Sequence, residues 1–124
     1  MPIFLAVALG GGLGALSRYG VDRLIQRHSF SVWPWGTFAI NISGCLVIGV
    51  IIAALVDREH TPLWLRTGLV VGFVGGYTTF STFAQESLNL LENGTLTAAA
   101  LYAFGSLILG VLAVFLGMQL GRAV

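Results

Sequence analysis

The stretch that decides the fold reads Gly75-Gly-Tyr-Thr-Thr-Phe-Ser-Thr-Phe83 and lies in the middle of a long hydrophobic segment. It opens with two adjacent glycines, followed by two phenylalanines interleaved with four hydroxyl side chains, namely Thr78, Thr79, Ser81 and Thr82. Glycine disfavours a helix interior, and hydroxyl side chains offer the backbone alternative hydrogen bonds. This composition predicts a helix that is broken near Gly75–Thr79 and lines a polar path, rather than a helix that faces lipid.

The composition of the whole chain is that of an integral membrane protein. Of its 124 residues, 56% are hydrophobic and 9% are charged, whereas soluble domains carry about 25% charged residues. So few charges could not cover a water-exposed surface, and the length suits one domain, residues 1–124. The net charge of +1 excludes nucleic-acid binding driven by basicity. The only cysteine, Cys45, excludes an intrachain disulfide and suggests no cysteine-based metal site.

Hydropathy predicts four transmembrane helices in an all-α membrane protein, since a span needs about 20 apolar residues. The spans cover about residues 3–25, 35–56, 62–91 and 95–120. The uncharged part of the first span ends at Ser17, so the helix must continue through Arg18 and place that cation at or just inside the membrane boundary. The third begins with Thr61-Pro62, an N-cap followed by proline at the first helical position.

The arginines predict an unusual topology. An even number of spans places both termini on one side of the membrane, together with the connector from Asp57 to Thr61. That side holds three arginines and the other side holds three, which are Arg58, Arg66 and Arg122 against Arg18, Arg23 and Arg27. Because Lys/Arg asymmetry sets orientation, a chain without it is expected to insert both ways and form an antiparallel dual-topology homodimer. A single orientation set by other features is the alternative.

Polar side chains within the spans are candidates for function, because the membrane interior offers them no water. Thr37 and Asn41 on the second span are i, i+4 neighbours, as are Tyr102 and Ser106 on the fourth. The interior of these two spans carries no acid or base, so a path along them would suit a small anion that needs hydrogen-bond donors. Phenylalanine ring edges carry partial positive charge and can contribute. The structural alternatives are an interhelical hydrogen bond for Asn41 and core packing for the aromatic rings.

Glycines predict close helix contacts and the break itself. Small residues spaced i, i+4, as Gly10 and Gly14 are, let helix backbones approach each other. Further candidates for close contact are Gly36, Gly44, Gly49, Gly105, Gly110 and Gly117. The pair Gly75-Gly76 is expected to break the third helix. Non-helical backbone at membrane depth is tolerated only inside protein or along a cavity, and its freed carbonyls can coordinate a cation.

Three motifs extend this interpretation: GGxGAxxRY over Gly11–Tyr19, WGTxxxN over Trp35–Asn41, and GxxGGxTTFSTF over Gly72–Phe83, with Glu86 after it. Together they resemble the Fluc family of fluoride channels, by motif in three spans and by length and span count over the whole chain. The resemblance implies a fluoride-selective channel in a bacterial inner membrane that exports fluoride passively and lowers its toxicity. It also implies two pores in an antiparallel homodimer.

The resemblance also implies roles for individual residues. The pore would be lined by Asn41, Phe80, Phe83, Ser81, Thr82, Thr37, Tyr102 and Ser106, the last two matched by helical position only. Phe80 and Phe83 would form an aromatic box around the ion. Arg18 and Glu86 would lie near the vestibules. The backbone carbonyls of Gly75 and Thr78 would coordinate a structural sodium ion at the centre of the dimer.

Three other classes of protein compete with this interpretation. A small multidrug-type proton-coupled transporter needs a membrane-embedded carboxylate, but the apolar part of the first span has none and Glu86 comes late in the third. An enzyme needs a nucleophile–base pair or a metal cluster. The only histidines, His28 and His60, lie in connectors on opposite sides, so no enzyme is expected. A non-transporting assembly protein held together by glycine packing would tolerate substitution of Asn41 and Phe80.

Overall fold

A computed structural model describes residues 1–56 and 60–124, and all the secondary structure in these residues is helical. This confirms the all-α prediction for the described part of the chain. The helices, in chain order, are α1 (Ile3–His28), α2 (Trp35–Ile51), α3 (residues 63–77), α4 (Phe80–Asn93) and α5 (Leu96–Arg122). The predicted connector from Asp57 to Thr61, with Arg58 in it, lies largely outside the described residues.

Three helices within the described residues are long and apolar enough to cross a membrane, namely Ile3–His28, Trp35–Leu55 and Leu96–Arg122. The second of these is α2 with part of its π-helical continuation, Ile52–Val56. The predicted third span, residues 62–91, is divided between α3 and α4. At about 1.5 Å rise per residue, the 14 residues of α4 rise about 21 Å, less than the roughly 30 Å of the hydrocarbon core. Only α3 and α4 together could therefore make the crossing predicted for residues 62–91, which would be the fourth of the chain.

The interruption between α3 and α4 follows the two glycines rather than falling at them. Helix α3 begins as Leu63–Thr67, winds as a π-helix over Gly68–Val74 and ends as the α-helical turn Gly75–Tyr77. Gly75 is helical, with φ −62° and ψ −36°. Thr78 and Thr79 are extended, with ψ of 162° and 116°. The break thus lies within the predicted Gly75–Thr79 region, but the expectation that Gly75-Gly76 would cause it is wrong.

Close backbone contacts hold α1 against α3 and α2 against α5. A Cβ on Gly76 would lie 2.6 Å from the Gly11 carbonyl oxygen, and a Cβ on Gly14 would collide with the Phe73 carbonyl. On the other pair, a Cβ on Gly117 would collide with the Leu46 carbonyl. These glycines let helix backbones touch, as small residues do in membrane bundles. A Cβ on Gly105 would meet nothing within 4 Å among residues 1–56 and 60–124, so the expected close contact is absent in this part of the chain.

The small core joins α4 to α5. Leu90, Ala99 and Tyr102 form a buried cluster, against which Trp33 and Phe83 pack. Tyr102 has no exposed surface at all. Many other large apolar side chains of the bundle are exposed, which is expected where the surroundings are lipid rather than water.

Candidate functional site

Asn41 on α2 binds the backbone of the break with both ends of its side-chain amide. Its Nδ2 donates to the Thr79 carbonyl oxygen at 3.1 Å, and the Thr79 N–H donates to its Oδ1 at 2.9 Å. A helix would have supplied Thr79 with these two partners, so Asn41 replaces the helical hydrogen bonds that the break removes. An amide nitrogen carries two hydrogens, and this pair uses one of them.

The backbone groups of Thr78 are also satisfied. The Thr78 carbonyl oxygen accepts from Arg18 Nη1 at 3.2 Å, and the Thr78 N–H donates to the Val74 carbonyl at 3.0 Å. Thr79 is the N-cap of α4, because its Oγ1 accepts from the Thr82 N–H at 3.4 Å and donates to Thr82 Oγ1 at 3.1 Å. Side chains from α1 and α2 therefore complete the hydrogen bonding of two extended residues at membrane depth, where an unsatisfied group costs several kcal/mol by order of magnitude.

Arg18 bonds to the backbone of the break rather than to Asp22, which lies four residues further along α1. The Asp22 carboxylate instead accepts from Gln26 at 2.7 Å and lies against Gly36 at the start of α2. Arg18 and Asp22 line a cavity of about 400 Å³, together with Glu86 on α4. The predicted vestibule residues Arg18 and Glu86 thus lie on one polar cavity.

Half-buried Glu86 is the centre of a hydrogen-bond cluster. Thr37 Oγ1 donates to its Oε1 at 2.8 Å, and the Tyr102 hydroxyl donates to its Oε2 at 2.7 Å. Thr37 is 4% exposed. Both carboxylate oxygens therefore have a donor from another helix, and charge-assisted bonds of this kind are stronger than neutral ones. Thr37 and Tyr102, predicted as pore residues, direct their hydroxyls at Glu86.

A stripe of polar side chains continues from the break along α4. Its members are spaced three and four residues apart and so share one helical face, and they are Thr79, Thr82, Glu86, Asn89 and Asn93. They line the cavity of about 400 Å³ and a second one of about 280 Å³, with Glu86 in both. Ser81 is off this stripe and exposed. Thr79 was predicted as part of the polar path but not as a pore-lining residue, and Asn89 was not predicted at all, although their spacing from Thr82 and Glu86 was a visible signal.

The two phenylalanines of the predicted box lie close together but in different surroundings. Their ring centroids are 5.9 Å apart, and Phe83 also contacts the ring of Tyr102 at 5.2 Å. Phe80 is 79% exposed and lines an open groove of about 240 Å³ with Asn41 and Thr79. Phe83 therefore belongs partly to the core, whereas Phe80 and Asn41 share the groove beside the break.

Ser106 is not joined to these groups. Its hydroxyl is buried and has no hydrogen-bond partner among residues 1–56 and 60–124. It lies one turn from Tyr102 on α5, as the spacing predicted, but the hydroxyl of Tyr102 is directed at Glu86.

The predicted sodium ligands fit a cation by their chemistry. The Thr79 N–H, which would close the α-helical bond to the Gly75 carbonyl, goes to Asn41 instead. The Gly75 oxygen is thereby left without its helical donor at the negative end of α3, where carbonyls favour cations. The Thr78 oxygen accepts one bond from the Arg18 guanidinium and retains a second lone pair. The Gly75 oxygen is accordingly the less encumbered of the two.

Fold and site together define a multi-pass helical membrane protein with an interrupted helix whose broken backbone is held by side chains. The chain belongs to the CrcB family, because the family model described as "CrcB-like protein, Camphor Resistance (CrcB)" matches residues 5–118. This places it among multi-pass proteins of bacterial membranes.

Three curated relatives named "Fluoride-specific ion channel FluC" cover nearly the whole chain. The relative from Acidobacterium capsulatum is 46% identical, over 98% of this chain and 97% of its own. Those from Phocaeicola vulgatus and Nitratidesulfovibrio vulgaris are 45% and 44% identical, over 98% and 100% of this chain and 100% of their own lengths. The resemblance drawn from the motifs is confirmed, and the relatives are ion channels rather than enzymes, as expected.

Replacing Asn41 with alanine should destabilise the folded protein by about 2 kcal/mol, since it leaves the Thr79 N–H and carbonyl without partners. The free energy of unfolding can be measured by denaturing detergent titration in mixed micelles, followed by tryptophan fluorescence. Gln85→Ala, which removes an exposed amide from α4, is the matched control and should change the midpoint little. Equal midpoints for the two variants would show that the Asn41 bonds do not hold the break.

Proposed function

We propose that this protein is a fluoride-selective ion channel that lets fluoride leave the cytoplasm passively and thereby lowers fluoride toxicity. The observation that carries the proposal is the groove in which Asn41 and Phe80 meet at the broken helix. The names of relatives 44–46% identical over almost the entire chain support the same ion. Export is assigned by chemistry: a passive channel moves fluoride down its gradient, and the cytoplasm is loaded by entry of hydrogen fluoride.

The groove offers the kinds of contact that a small anion needs when it loses its hydration shell. Asn41 is held by the Thr79 peptide and has a second Nδ2 hydrogen to donate. Phe80 can present a ring edge, which carries partial positive charge. The guanidinium of Arg18, bonded to the adjacent Thr78 carbonyl, adds positive potential close by. These fixed donors in a water-poor site would favour an anion over a cation.

The carboxylate of Glu86 would repel an anion unless other groups offset its charge. Two donors already bond to its oxygens, and Arg18 lines the same cavity. We assign Thr37 and Tyr102 to the support of Glu86, and Thr82 with Thr79 to the hydroxyl path that continues along α4. Some of the predicted pore residues would then contact the ion, and others would hold the contacting residues in position. Ser106 has no assigned role.

An antiparallel homodimer would complete the pore. The broken backbone and the 79% exposed ring of Phe80 face an open groove in the protomer, although broken backbone at membrane depth must be enclosed by protein or line a cavity. A second copy of the chain in opposite orientation would cover this groove and create two equivalent pores. The three-against-three division of arginines supports dual insertion.

A structural sodium ion would fit at the dimer centre. The carbonyl oxygens of Gly75 and Thr78 from both copies would hold it. Its positive charge would offset the negative ends of the two α3 helices.

Fluoride flux from liposomes tests the channel directly. Vesicles carrying the purified protein should lose fluoride rapidly without a proton gradient and should retain chloride. Asn41→Asp replaces a donor with an anionic oxygen, and Phe80→Ile removes the ring edge. Each should lower the flux at least about 100-fold, equivalent to about 2.7 kcal/mol on the barrier, while the dimer stays folded.

Matched variants and a competing substrate make that test specific. Phe115→Ile removes an exposed ring on α5 and should keep wild-type flux. Wild-type flux in both Asn41→Asp and Phe80→Ile would refute the residue roles. Proton-coupled transport of a cationic drug without fluoride flux would instead identify a small multidrug-type transporter.

Labelling with a membrane-impermeant thiol reagent tests dual topology. Asn93→Cys in a Cys45→Ala background places one thiol at the exposed end of α4. Asn93 is preferable to Gly94, where a Cβ would lie 2.8 Å from the Leu90 carbonyl oxygen. About half of the protein in intact inverted vesicles should react, in line with the balanced arginines. Reaction of all or none of it would establish a single orientation and exclude the antiparallel dimer.

Ion replacement tests the sodium ion. Protein purified and reconstituted in N-methyl-D-glucamine salts should lose flux, and added sodium should restore it, because the carbonyl ligands of Gly75 and Thr78 suit a small hard cation. Choline at the same concentration is the control and should not restore it. Full flux in sodium-free vesicles would remove sodium from the proposal and leave the channel itself untouched.

A further inference from the structure

Tyr77, the last residue of α3 before the break, is held at both its ring and its hydroxyl. The ring stacks on Phe73, with centroids 6.1 Å apart and planes only 4° from parallel. The hydroxyl oxygen lies 2.9 Å from Ser43 Oγ on α2. The last turn of α3 is thus tied to α2 through a rigid aromatic side chain.

The direction of this hydrogen bond follows from the other contact of Ser43. Ser43 Oγ donates to the Ile40 carbonyl oxygen at 3.1 Å, which uses its only hydrogen. The phenol of Tyr77 must therefore be the donor in the bond to Ser43. The result is a chain of two hydrogen bonds from Tyr77 through Ser43 to the backbone of α2.

Three successive residues at the break each meet a different residue of α2. Tyr77 bonds to Ser43, and the Thr79 peptide bonds to Asn41. Thr78 between them fills the space that a side chain on Gly44 would need, since a Cβ there would collide with its Cγ2. The position of α3 along α2 is therefore defined on both sides of Thr78.

We propose that Tyr77 and Ser43 form a positioning pair, which sets the register of the broken helix on α2 and so the place where Asn41 meets the Thr79 peptide. The pair touches no ion itself and acts through Asn41. Without it, the last turn of α3 would keep its apolar packing but lose the polar contact that fixes its displacement along α2. The functional part of this inference rests on the proposed channel, whereas its structural part does not.

A double-mutant cycle tests the pair in liposomes. Tyr77→Phe keeps the stacked ring and removes one oxygen, and Ser43→Ala removes the acceptor. Each should lower the flux per channel about five- to tenfold. The double variant should lose no more flux than the more impaired of the two single variants. Each single substitution already breaks the hydrogen bond and leaves one partner unpaired, so the second substitution has no further bond to remove. Ser43→Thr, which keeps the hydroxyl, should retain most of the rate.

Two readouts separate positioning from loss of folded protein. The fraction of vesicles that empty counts the working channels, and the rate of emptying measures each channel. Tyr77→Phe and Ser43→Ala should lower the rate of emptying and leave the fraction of vesicles that empty unchanged. Thr67→Val is the matched control, because among the described residues the Thr67 hydroxyl bonds only to the Leu63 carbonyl of its own helix. It should change neither quantity.

A measurement without fluoride keeps this inference separate from the proposed function. Hydrogen exchange of the Thr79 amide in detergent micelles reports its bond to Asn41 and should accelerate about five- to tenfold in both single variants. If the wild-type protein transports no fluoride but both single variants show faster exchange, the proposed channel is refuted and the positioning pair is supported. Unchanged exchange in both variants, or additive losses of flux, would overturn the positioning role.

Discussion

The structure depends on satisfying the backbone of two extended residues inside a membrane. Thr78 and Thr79 leave the helical path, and lipid has no donors or acceptors to offer them. Their partners come from Arg18 on α1, Asn41 on α2 and the preceding turn of α3. This requirement draws three helices together at one depth.

Helix packing serves the same requirement. Glycines on α1 allow its backbone to touch α3, which brings Arg18 within reach of the Thr78 carbonyl. On α2, Gly44 leaves space for Thr78, and Asn41 lies one turn earlier on the same face. The contacts that make the bundle compact are thus the contacts that hold the break. An extended backbone without hydrogen-bond partners would be unfavourable in lipid, and the partners from α1 and α2 make it stable in this fold.

The polar groups of the site form two connected regions. One is the groove at the break with Asn41 and Phe80, and the other is the cluster in which Thr37 and Tyr102 bond to Glu86. The stripe along α4 joins them, since Thr79 caps this helix and Glu86 lies two turns further on. A proposed anion path along α4 would therefore run from fixed donors past a carboxylate whose oxygens are already bonded. Its specificity would come from held geometry more than from net charge.

Local sequence properties determined much of this protein. Hydropathy and charge predicted membrane helices, and the glycines and hydroxyl side chains of Gly75–Phe83 predicted a break near Gly75–Thr79. The i, i+4 spacing placed Thr37 with Asn41, and each of these predictions depends on residues close together in the chain. Tertiary structure alone decided which groups pair. Asn41 with Thr79, Thr37 with Glu86 and Arg18 with Thr78 lie 38, 49 and 60 residues apart, beyond any periodicity. Tertiary structure also decided that Gly75 and Gly76 stay helical. Gly76 packs closely against α1, and the backbone groups that Asn41 and Arg18 can reach are those of Thr79 and Thr78.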